Sequence, residues 1–302
     1  LKDAMIRDLG YFIEPKYLFS QMVKNIKASD FDVEQLQDAI NAVQQSTIGY
    51  NSENDFRDLF EDLDLNSSRL GNTVGKRSDM IAKVILELAE ISFRGKDIQI
   101  DVLGGAYEYL IGQFAASAGK KAGEFYTPAQ VSKLLARLVT LNRSELKTVY
   151  DPTMGSGSLL LQLGNFSKIG NYFGQELNST TFNLARMNLL MHGVNYDRFD
   201  LAQGDTLEDD HFGTKQFDAV VANPPYSAHW DTEGKLDDER FRKYSKTAPK
   251  SKADLAFVET MLYHLNDSGT MAVVLPHGVL FRGAAEGAIR QYMIEHDNVL
   301  DA

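Results

Sequence analysis

Short apolar segments alternate with helix-forming segments in the second part of this chain, and no other feature restricts the fold as strongly. Apolar runs with the length of buried strands occur at residues 148–150, 172–175, 199–203, 217–222 and 271–275. Strands that alternate with helices form a parallel sheet, and the crossover helices cover both of its faces. The sequence therefore predicts an α/β fold in this part of the chain.

The first part of the chain shows helical patterns and almost no strand signal. Apolar residues recur at helical spacing in residues 32–44 and 80–93, and a further helix is predicted at residues 102–118. The apolar face predicted for the second of these helices consists of Ile81, Val84, Ile85, Leu88 and Ile91. We predict an all-helical domain at residues 1–118 and an α/β domain at residues 119–302.

A helix is predicted to lead into the α/β domain, and its first residues carry start signals. Thr127 is the expected N-cap, Pro128 the first helical residue, and Gln130 the residue that completes a capping box. The apolar face predicted for this helix consists of Val131, Leu134, Leu135, Leu138 and Val139.

The last residues, 298–302, resemble the beginning of a sixth strand. A sheet that ended there would have an uncovered edge. We therefore expect the sequence to be a piece of a longer polypeptide, with its sheet truncated after the start of the sixth strand.

Composition excludes several classes of protein. The chain contains no cysteine, which excludes disulfides and thiolate sites, and the six histidines lack metal-ligand spacing, so no metal site is predicted. No apolar run approaches the roughly 18 to 20 residues of a membrane span, so we expect a soluble, cytoplasmic protein without a membrane partner. The net charge of −11 means that a nucleic-acid partner requires a local basic patch or another subunit.

A glycine-containing turn follows the first predicted strand and is the first candidate binding feature. Its glycines allow a tight turn and close approach of a ligand to the backbone, although a plain strand-to-helix turn has the same composition. Leu160 stands where a dinucleotide fingerprint has a third glycine, so a ligand without phosphates is favoured. The candidate residues are Asp151, Thr153, Gly155, Ser156 and Gly157.

Acidic residues follow the next two strands. Glu176 ends the second strand, where a carboxylate accepts hydrogen bonds from ribose hydroxyls, and Asp205 follows the third strand, where it can accept one from an adenine amine. Taken alone, each of these acidic residues is more simply explained as part of a turn at the end of a strand than as part of a binding site. Together with the glycine turn they describe a pocket for an adenosine with a non-phosphate tail, and S-adenosylmethionine is such a ligand.

The most specific feature follows the fourth strand, which runs directly into Asn223, Pro224, Pro225 and Tyr226. Two consecutive prolines cannot continue a central strand, so the chain leaves the sheet in a rigid corner. The Asn223 amide and the Pro224 carbonyl are then fixed acceptors, and Tyr226 offers a flat aromatic face beside them. An amino group on a planar ring fits this arrangement.

These motifs, with the upstream segment Glu124-Phe125-Tyr126-Thr127-Pro128, resemble those of amino-group DNA methyltransferases in which the cofactor motif precedes the catalytic one. More narrowly, the chain resembles the modification subunit of type I restriction-modification systems. The resemblance implies a Rossmann-like S-adenosylmethionine-dependent methyltransferase domain after the helical domain. It covers nearly the whole chain.

The resemblance also implies an activity and partners. The activity is methylation of N6 of an adenine flipped out of duplex DNA, with Glu176 at the ribose, Asp205 at the cofactor adenine, and Asp151 with the Tyr126 and Thr127 region at the methionine end. Asn223 belongs to both the catalytic and the cofactor-binding set. The implied partners are double-stranded DNA, a DNA-specificity subunit, a restriction subunit and a second copy of the chain.

Two alternatives to this activity stay open on the sequence. The corner fits any planar amine, so a protein glutamine or an RNA base is an alternative substrate, and a catalytically silent assembly subunit is an alternative role.

The segment of residues 235–252 has two possible interpretations. It carries seven basic residues against three acids. It either contacts DNA phosphates or forms an ordinary mobile surface loop. The basic residues are Lys235, Arg240, Arg242, Lys243, Lys246, Lys250 and Lys252.

Overall fold

The computed structural model describes residues 2–91, 102–117 and 127–302. The described residues form two compact units, one within Leu1–Ala106 and Leu190–Asp197 and the other within Tyr107–Leu189 and Arg198–Ala302. Residues 118–126 lie outside the described part, so the domain boundary that the sequence predicts at residue 118 stays a prediction.

The first unit is helical where it is described, as predicted. Asp32 and Thr73 cap the two longest helices of this unit, since their side chains accept hydrogen bonds from Gln35 N and Lys76 N. The α-helices are α1 (Lys2–Leu9), α2 (Phe19–Lys27), α3 (Val33–Thr47), α4 (Glu53–Phe56) and α5 (Val74–Ala89), and α6 (Val102–Ser117) continues into the second unit.

The apolar face predicted for α5 is only partly buried. Ile85 is buried in a cluster with Met22 and Ala39, and Ile81 packs against that cluster. Val84, Leu88 and Ile91 are exposed, so the prediction is wrong for them. The reason is that α2 and α3 contact α5 along a narrow stripe, which reaches Ser78 and Ile85 but not the neighbouring apolar positions.

The second unit contains a sheet of five parallel strands in the order β3-β2-β1-β4-β5. This confirms the predicted α/β fold and all five predicted strands. The strands are β1 (Glu145–Asp151), β2 (Lys168–Glu176), β3 (Phe199–Gln203), β4 (Phe217–Ala222) and β5 (Leu265–Val273). Strand β4 is the most deeply buried, because five of its six residues are buried between neighbours on both sides.

Helices connect most of the strands, as a parallel sheet requires. The connecting helices are α8 (Ser158–Leu163), α9 (Ser179–Met191) and α10 (Asp254–Tyr263), whereas α7 (Ala129–Val139) precedes β1 and α11 (Ala284–Glu295) follows β5. An aromatic core lies against the central strands, where Tyr150 stacks on Phe217 with ring centroids 4.7 Å apart. Tyr150 and Phe217 are fully buried, which fixes β1 and β4 side by side.

The start of α7 differs from the prediction. Pro128, not Thr127, is the N-cap, and it has no side-chain cap, so the predicted capping box with Gln130 is wrong. Pro128 has a φ of −52° and a ψ of 136°, which is not helical, and its carbonyl accepts hydrogen bonds from Val131 N and Ser132 N, so the helix begins one residue later than predicted.

The apolar face of α7 is also divided. Leu135 and Val139 are buried, whereas Leu134 and Leu138 are 58% and 51% exposed. The buried stripe is completed by Ser132 and Ala136, because the contacts of α7 with α8, β4 and β5 select residues spaced by three and four.

The predicted sixth strand is not formed. Residues 298–302 are exposed and lie outside the five-stranded sheet, and the expectation that the sheet is truncated stays a prediction. Within the described residues, no helix has the length and apolar character needed to cross a membrane.

Candidate functional site

The sheet reverses its winding direction between β1 and β4. From β1 the chain proceeds through β2 to β3 on one side, and then returns to place β4 on the other side of β1. Open parallel sheets bind ligands outside the carboxyl ends of the strands at such a switch point. Val149 and Tyr150 of β1 pair with Ala219 and Val220 of β4, so the carboxyl ends of both strands lie at this switch point. The region outside these two strand ends is called the crevice below.

The turn after β1 is built around the Asp151 carboxylate. Oδ1 of Asp151 accepts a hydrogen bond from Thr153 N at 2.9 Å, and Asp151 is only 1% exposed. Gly155 and Gly157 both have positive φ, at 55° and 75°, which favours glycine at these two positions. The predicted tight turn is therefore present.

Gly157 has a second reason to be glycine. A Cβ atom at this position would lie 2.9 Å from Cδ1 of Leu189 on α9, which is closer than a carbon contact allows. The neighbouring Ser156 is buried, with its Oγ 3.1 Å from Oγ of Ser158, and its carbonyl accepts a hydrogen bond from Asn188 at 3.0 Å. The side chain and the carbonyl of Ser156 are thus both engaged within the protein.

Glu176 connects the end of β2 to the glycine turn. Its Oε2 accepts a hydrogen bond from Gly155 N at 3.0 Å, and its Oε1 accepts one from Asn178 N at 2.9 Å. Burial raises the pKa of Glu176 above its ordinary value, although these backbone donors oppose the shift. The structure therefore brings together Glu176 and Gly155, which the sequence predicted to share one site.

The crevice is acidic at the end of β1. Burial raises the pKa of Asp151 to about 8, and the nearby negative charge of Glu176 adds to the shift. Ionising two neighbouring carboxyl groups in a buried environment of low dielectric constant is unfavourable, because the two negative charges repel each other. A cation between or beside them lowers the free energy of the ionised state. This set of side chains favours a positively charged ligand and disfavours a phosphate.

Asp205 lies after β3 and forms a local turn. Its Oδ1 accepts a hydrogen bond from Leu207 N at 2.9 Å. The adjacent Thr206 was not predicted as a site residue, yet its Oγ1 donates to the Pro152 carbonyl at 2.6 Å and so joins the turn after β3 to the turn after β1. A buried threonine in a turn gives no sequence signal for this bond.

The rigid corner leaves the sheet at the end of β4, as predicted. Pro224 is buried, Asn223 and Pro225 are half-buried, and Tyr226 is 52% exposed. The Tyr226 hydroxyl donates a hydrogen bond to Oδ1 of Asn223 at 3.1 Å. The aromatic ring and the amide acceptor are therefore held next to each other, and both are accessible.

The sequence interpretation missed the residue that holds the far side of the corner. Ser227 N donates a hydrogen bond to Oδ1 of Asp254 at 2.8 Å, and Asp254 is the first residue of α10. Burial raises the pKa of Tyr226, and the negative charge of Asp254 raises it further. The sequence places Asp254 at the start of a predicted helix, where an acidic residue is favoured, but this position does not indicate a contact with residue 227.

The basic segment at residues 235–252 divides into two groups. Lys235 and Arg240 are buried, and Arg240 donates hydrogen bonds to the carbonyls of Thr206 and Leu207 at 2.6 and 3.1 Å. The interpretation as a mobile surface loop is wrong for these two residues, because they fasten the segment to the turn after β3. The exposed basic residues are Arg242, Lys243, Lys246 and Lys250.

The upstream candidates are only partly described. Thr127 is half-buried, and its carbonyl accepts a hydrogen bond from Oγ of Ser132 at 3.3 Å. Phe125 and Tyr126 lie outside the described residues, so their predicted place near the methionine end of a cofactor stays a prediction.

Comparison with known proteins gives a consistent family. A family profile described as N-6 DNA Methylase matches residues 98–301. The methylase subunit of the type I restriction enzyme MpnII from Mycoplasma pneumoniae is 38% identical, over all of this chain and 60% of that protein. The HindI methylase subunit from Haemophilus influenzae is 33% identical, over 69% of this chain and 48% of that protein. The chain thus spans about half to three fifths of the length of these relatives.

Solved structures agree with the fold. A methyltransferase subunit of a type I restriction-modification system from Streptococcus thermophilus superimposes with a TM-score of 0.88 and 45% identity, over 97% of this chain and 62% of that chain. A Listeria monocytogenes structure assigned to the class I S-adenosylmethionine-dependent methyltransferases superimposes with a TM-score of 0.57 and 12% identity, over 93% of this chain and 78% of that chain. The second similarity concerns the fold alone.

Proposed function

This chain belongs to the N-6 DNA methylase family, and from that premise we propose that it methylates N6 of adenine in duplex DNA as the modification subunit of a type I restriction-modification complex. The observation that carries the proposal is the position of Asn223 and Tyr226 at the switch point of the sheet. There they lie at the end of the strand next to β1, whose acidic turn fits the cofactor.

The side chains at the carboxyl ends of β1, β2 and β3 fit S-adenosylmethionine. This compound combines a positively charged sulfur and an ammonium group with ribose hydroxyls and an adenine amine, and each of these groups prefers carboxylate neighbours. Glu176 would hold the ribose, Asp205 the adenine, and Asp151 with residues 126–127 the methionine end, while the turn that carries Thr153, Gly155, Ser156 and Gly157 would supply backbone contacts. When bound, S-adenosylmethionine supplies the methyl group.

The corner would orient the target amine. Oδ1 of Asn223 and the carbonyl of Pro224 accept the two N–H bonds of the adenine amino group, and this leaves the nitrogen lone pair free for attack. Bound S-adenosylmethionine would supply the methyl carbon to this nitrogen, and the amino proton would then leave to solvent. The amino proton becomes acidic only after the methyl group has arrived, so these residues need not supply a strong base beforehand.

Tyr226 would retain the flipped base. Extrusion of a base from the duplex costs a few kcal/mol, and stacking on an aromatic ring returns roughly 1 to 3 kcal/mol. The half-exposed ring of Tyr226 is accessible for such stacking, and Pro225 beside it keeps the backbone from rotating.

The exposed basic residues that follow the corner would contact phosphates. The chain as a whole has a net charge of −11, so DNA binding depends on local charge and on partners. Lys246 and Lys250 are exposed on a segment that Arg240 anchors to the carbonyls of Thr206 and Leu207 and that Trp230 holds through the carbonyls of Pro249 and Lys250. The partners we propose are the specificity subunit, the restriction subunit and a second copy of this chain.

The test uses the full-length protein with its partner subunits and unmethylated duplex DNA. We expect S-adenosylmethionine with a labelled methyl group to label the DNA, and nuclease digestion to release the label as N6-methyladenine. Asn223→Ala should lower the rate by about a hundredfold or more, the loss typical for a group that acts in the transition state, and should leave cofactor affinity within about twofold.

Asn165→Ala is the matched control, because Asn165 is exposed after α8 and away from the crevice, and this variant should retain wild-type activity. Label on protein or RNA with unlabelled DNA would contradict the proposed substrate. Full activity of Asn223→Ala would remove Asn223 from the reaction.

A further inference from the structure

The backbone immediately after the corner adopts an uncommon conformation. Ser227 has a φ of 52°, in the left-handed region that costs a residue with a side chain roughly 1 kcal/mol or more. Such a conformation persists only when its surroundings hold it. The side chain that holds it is Asp254, whose Oδ1 accepts the hydrogen bond from Ser227 N at 2.8 Å.

Asp254 is itself held on every side. It is 1% exposed and begins α10, where the free N–H groups and the positive end of the helix dipole favour a carboxylate. Its Oδ2 lies 3.4 Å from Nη1 of Arg282, and the same nitrogen lies 2.7 Å from Oε1 of Glu286, which is also buried. The carboxylate therefore has one fixed direction, toward Ser227 N.

Backbone hydrogen bonds hold the next residues against the same part of the chain. Ala253 N donates to the Ala228 carbonyl, and Trp230 N donates to the Lys250 carbonyl, both at 3.0 Å. These bonds place residues 228–230 beside residues 250–253 without any particular side chain. The hydrogen bond from Ser227 N to Oδ1 of Asp254, by contrast, depends on a side chain, so a substitution of Asp254 removes it at the residue that follows Tyr226.

We propose that Asp254 is a positioning residue for methyl transfer: through Ser227 it sets the direction in which Tyr226 and Asn223 face the crevice. The inference rests on the proposed function. Asp254 is 1% exposed and contacts Ser227 N, so it would act on the rate through the corner rather than by contact with the base or the cofactor. Arg282, which also pairs with Glu286, lies beside Oδ2 of Asp254 and so keeps the Asp254 carboxylate from turning away from Ser227.

Three substitutions of Asp254 separate positioning from stability. Asp254→Ala removes the acceptor for Ser227 N. Asp254→Asn keeps an acceptor oxygen at the same distance but lacks the charge that faces Arg282. Asp254→Glu keeps the charge for Arg282 and for the helix start but moves the carboxylate by one methylene. Each is assayed in the full-length complex at saturating DNA, with the thermal unfolding temperature measured beside it.

We expect Asp254→Ala to lower kcat at least about tenfold while KM for S-adenosylmethionine stays within about twofold, since a displacement near 1 Å at a reacting group costs up to about a hundredfold. We expect Asp254→Asn to recover more of kcat than Asp254→Glu, although Asp254→Glu preserves the charge. A role in stability alone gives the opposite order, with Asp254→Glu the more active and the more stable variant.

Ser29→Gly is the control for replacing a serine of positive φ by glycine, because Ser29 has a φ of 59°, is exposed and lies in the first unit, among residues with no proposed part in the reaction. It should retain wild-type kcat. If the wild-type complex is active and Asp254→Ala has an unchanged kcat, this inference alone is overturned. It is also overturned if all three variants lose activity through a parallel rise in KM for S-adenosylmethionine. A wild-type complex that transfers no methyl group to DNA overturns the proposed function, and this inference with it.

Discussion

The hydroxyl of Tyr226 donates a hydrogen bond to the amide oxygen of Asn223, over 3.1 Å. This oxygen is the acceptor that the proposed reaction requires for the adenine amine. An amide oxygen has two lone pairs, so the tyrosine occupies one acceptor position and fixes the orientation of the amide. The ring and the hydroxyl of Tyr226 therefore have separable roles.

Substitution of Tyr226 separates these two roles. Tyr226→Phe keeps the ring and removes the hydroxyl, and we expect DNA methylation to fall no more than about fivefold, the effect of one ordinary hydrogen bond. Tyr226→Ala removes the stacking surface, and a loss of roughly 1 to 3 kcal/mol predicts a reduction of about 5- to 150-fold in kcat/KM for DNA. Steady-state methyl transfer measures both. Equal losses in the two variants would contradict a stacking role.

Glu176→Ala should weaken cofactor binding before it affects any other step. The substitution removes the acceptor for Gly155 N and for a ribose hydroxyl, and charged hydrogen bonds of about 1.5 to 3 kcal/mol predict a dissociation constant about 10- to 150-fold higher. Isothermal titration calorimetry with S-adenosylmethionine measures it. Glu145→Ala, at the exposed start of β1, is the control and should bind as wild type. An unchanged constant in Glu176→Ala would refute the ribose assignment.

Cofactor affinity should increase with pH because of Asp151. The pKa of Asp151 is raised to about 8, so the carboxyl is mostly neutral at pH 7 in the free protein, and a cationic ligand prefers the ionised form. The association constant should rise by up to about tenfold per pH unit below pH 8 and level off above it. Asp151→Asn removes this titration and leaves only that of the ligand. Parallel pH profiles for the two proteins would exclude Asp151.

The effect of Asp151 on the stability of the ligand-free protein has the opposite dependence on pH from its effect on cofactor affinity. The folded pKa of Asp151 lies above the ordinary value of 3.8, so the folded state binds the proton more tightly than the unfolded state. Asp151 therefore makes the ligand-free protein less stable as the pH rises from about 4 through 8. The difference in unfolding temperature between wild type and Asp151→Asn should change over the same pH range.

The exposed lysines should govern the salt dependence of DNA binding. Each phosphate contact contributes about 0.9 to the slope of log affinity against log salt concentration, so Lys246→Ala combined with Lys250→Ala should reduce the slope by about 2. The unfolding temperature should not change, because both side chains are exposed. Fluorescence anisotropy of the complex with labelled duplex at several salt concentrations measures the slope.

Arg240 provides the contrast within the same segment. Its side chain is 5% exposed, donates to the buried Thr206 carbonyl at 2.6 Å and lies 3.8 Å from Oδ2 of Asp210, which is 11% exposed, so Arg240→Met removes a partner of both acceptors. Breaking a buried pair in this way costs about 3 to 5 kcal/mol, and we expect a lower unfolding temperature. A change in the salt slope for Arg240→Met without loss of stability would contradict the anchoring role.

Sequence reasoning succeeded where the signal is local. The bounds of β3 and β4 were predicted to the residue, because each segment ends directly before turn residues, Gly204 and Asp205 after β3 and Asn223 with two prolines after β4. It failed for Leu134 and Leu138, because periodicity identifies an apolar face of α7 but not the part of that face that neighbouring elements cover. Lys235 and Arg240 were misread for the same reason, since the charge of a side chain does not reveal that it is buried.

By itself, then, the sequence determined the strands and most helices, the glycine turn, and the proline corner that follows β4. The tertiary structure decided that β1 and β4 lie side by side, that Glu176 reaches Gly155, that Gly157 must leave room for Leu189, and that Asp254 holds Ser227. The physical reason is that dihedral preferences and periodicity act over a few neighbouring residues. Contacts between residues distant in the chain depend on strand order and on side-chain packing, which only the folded chain defines.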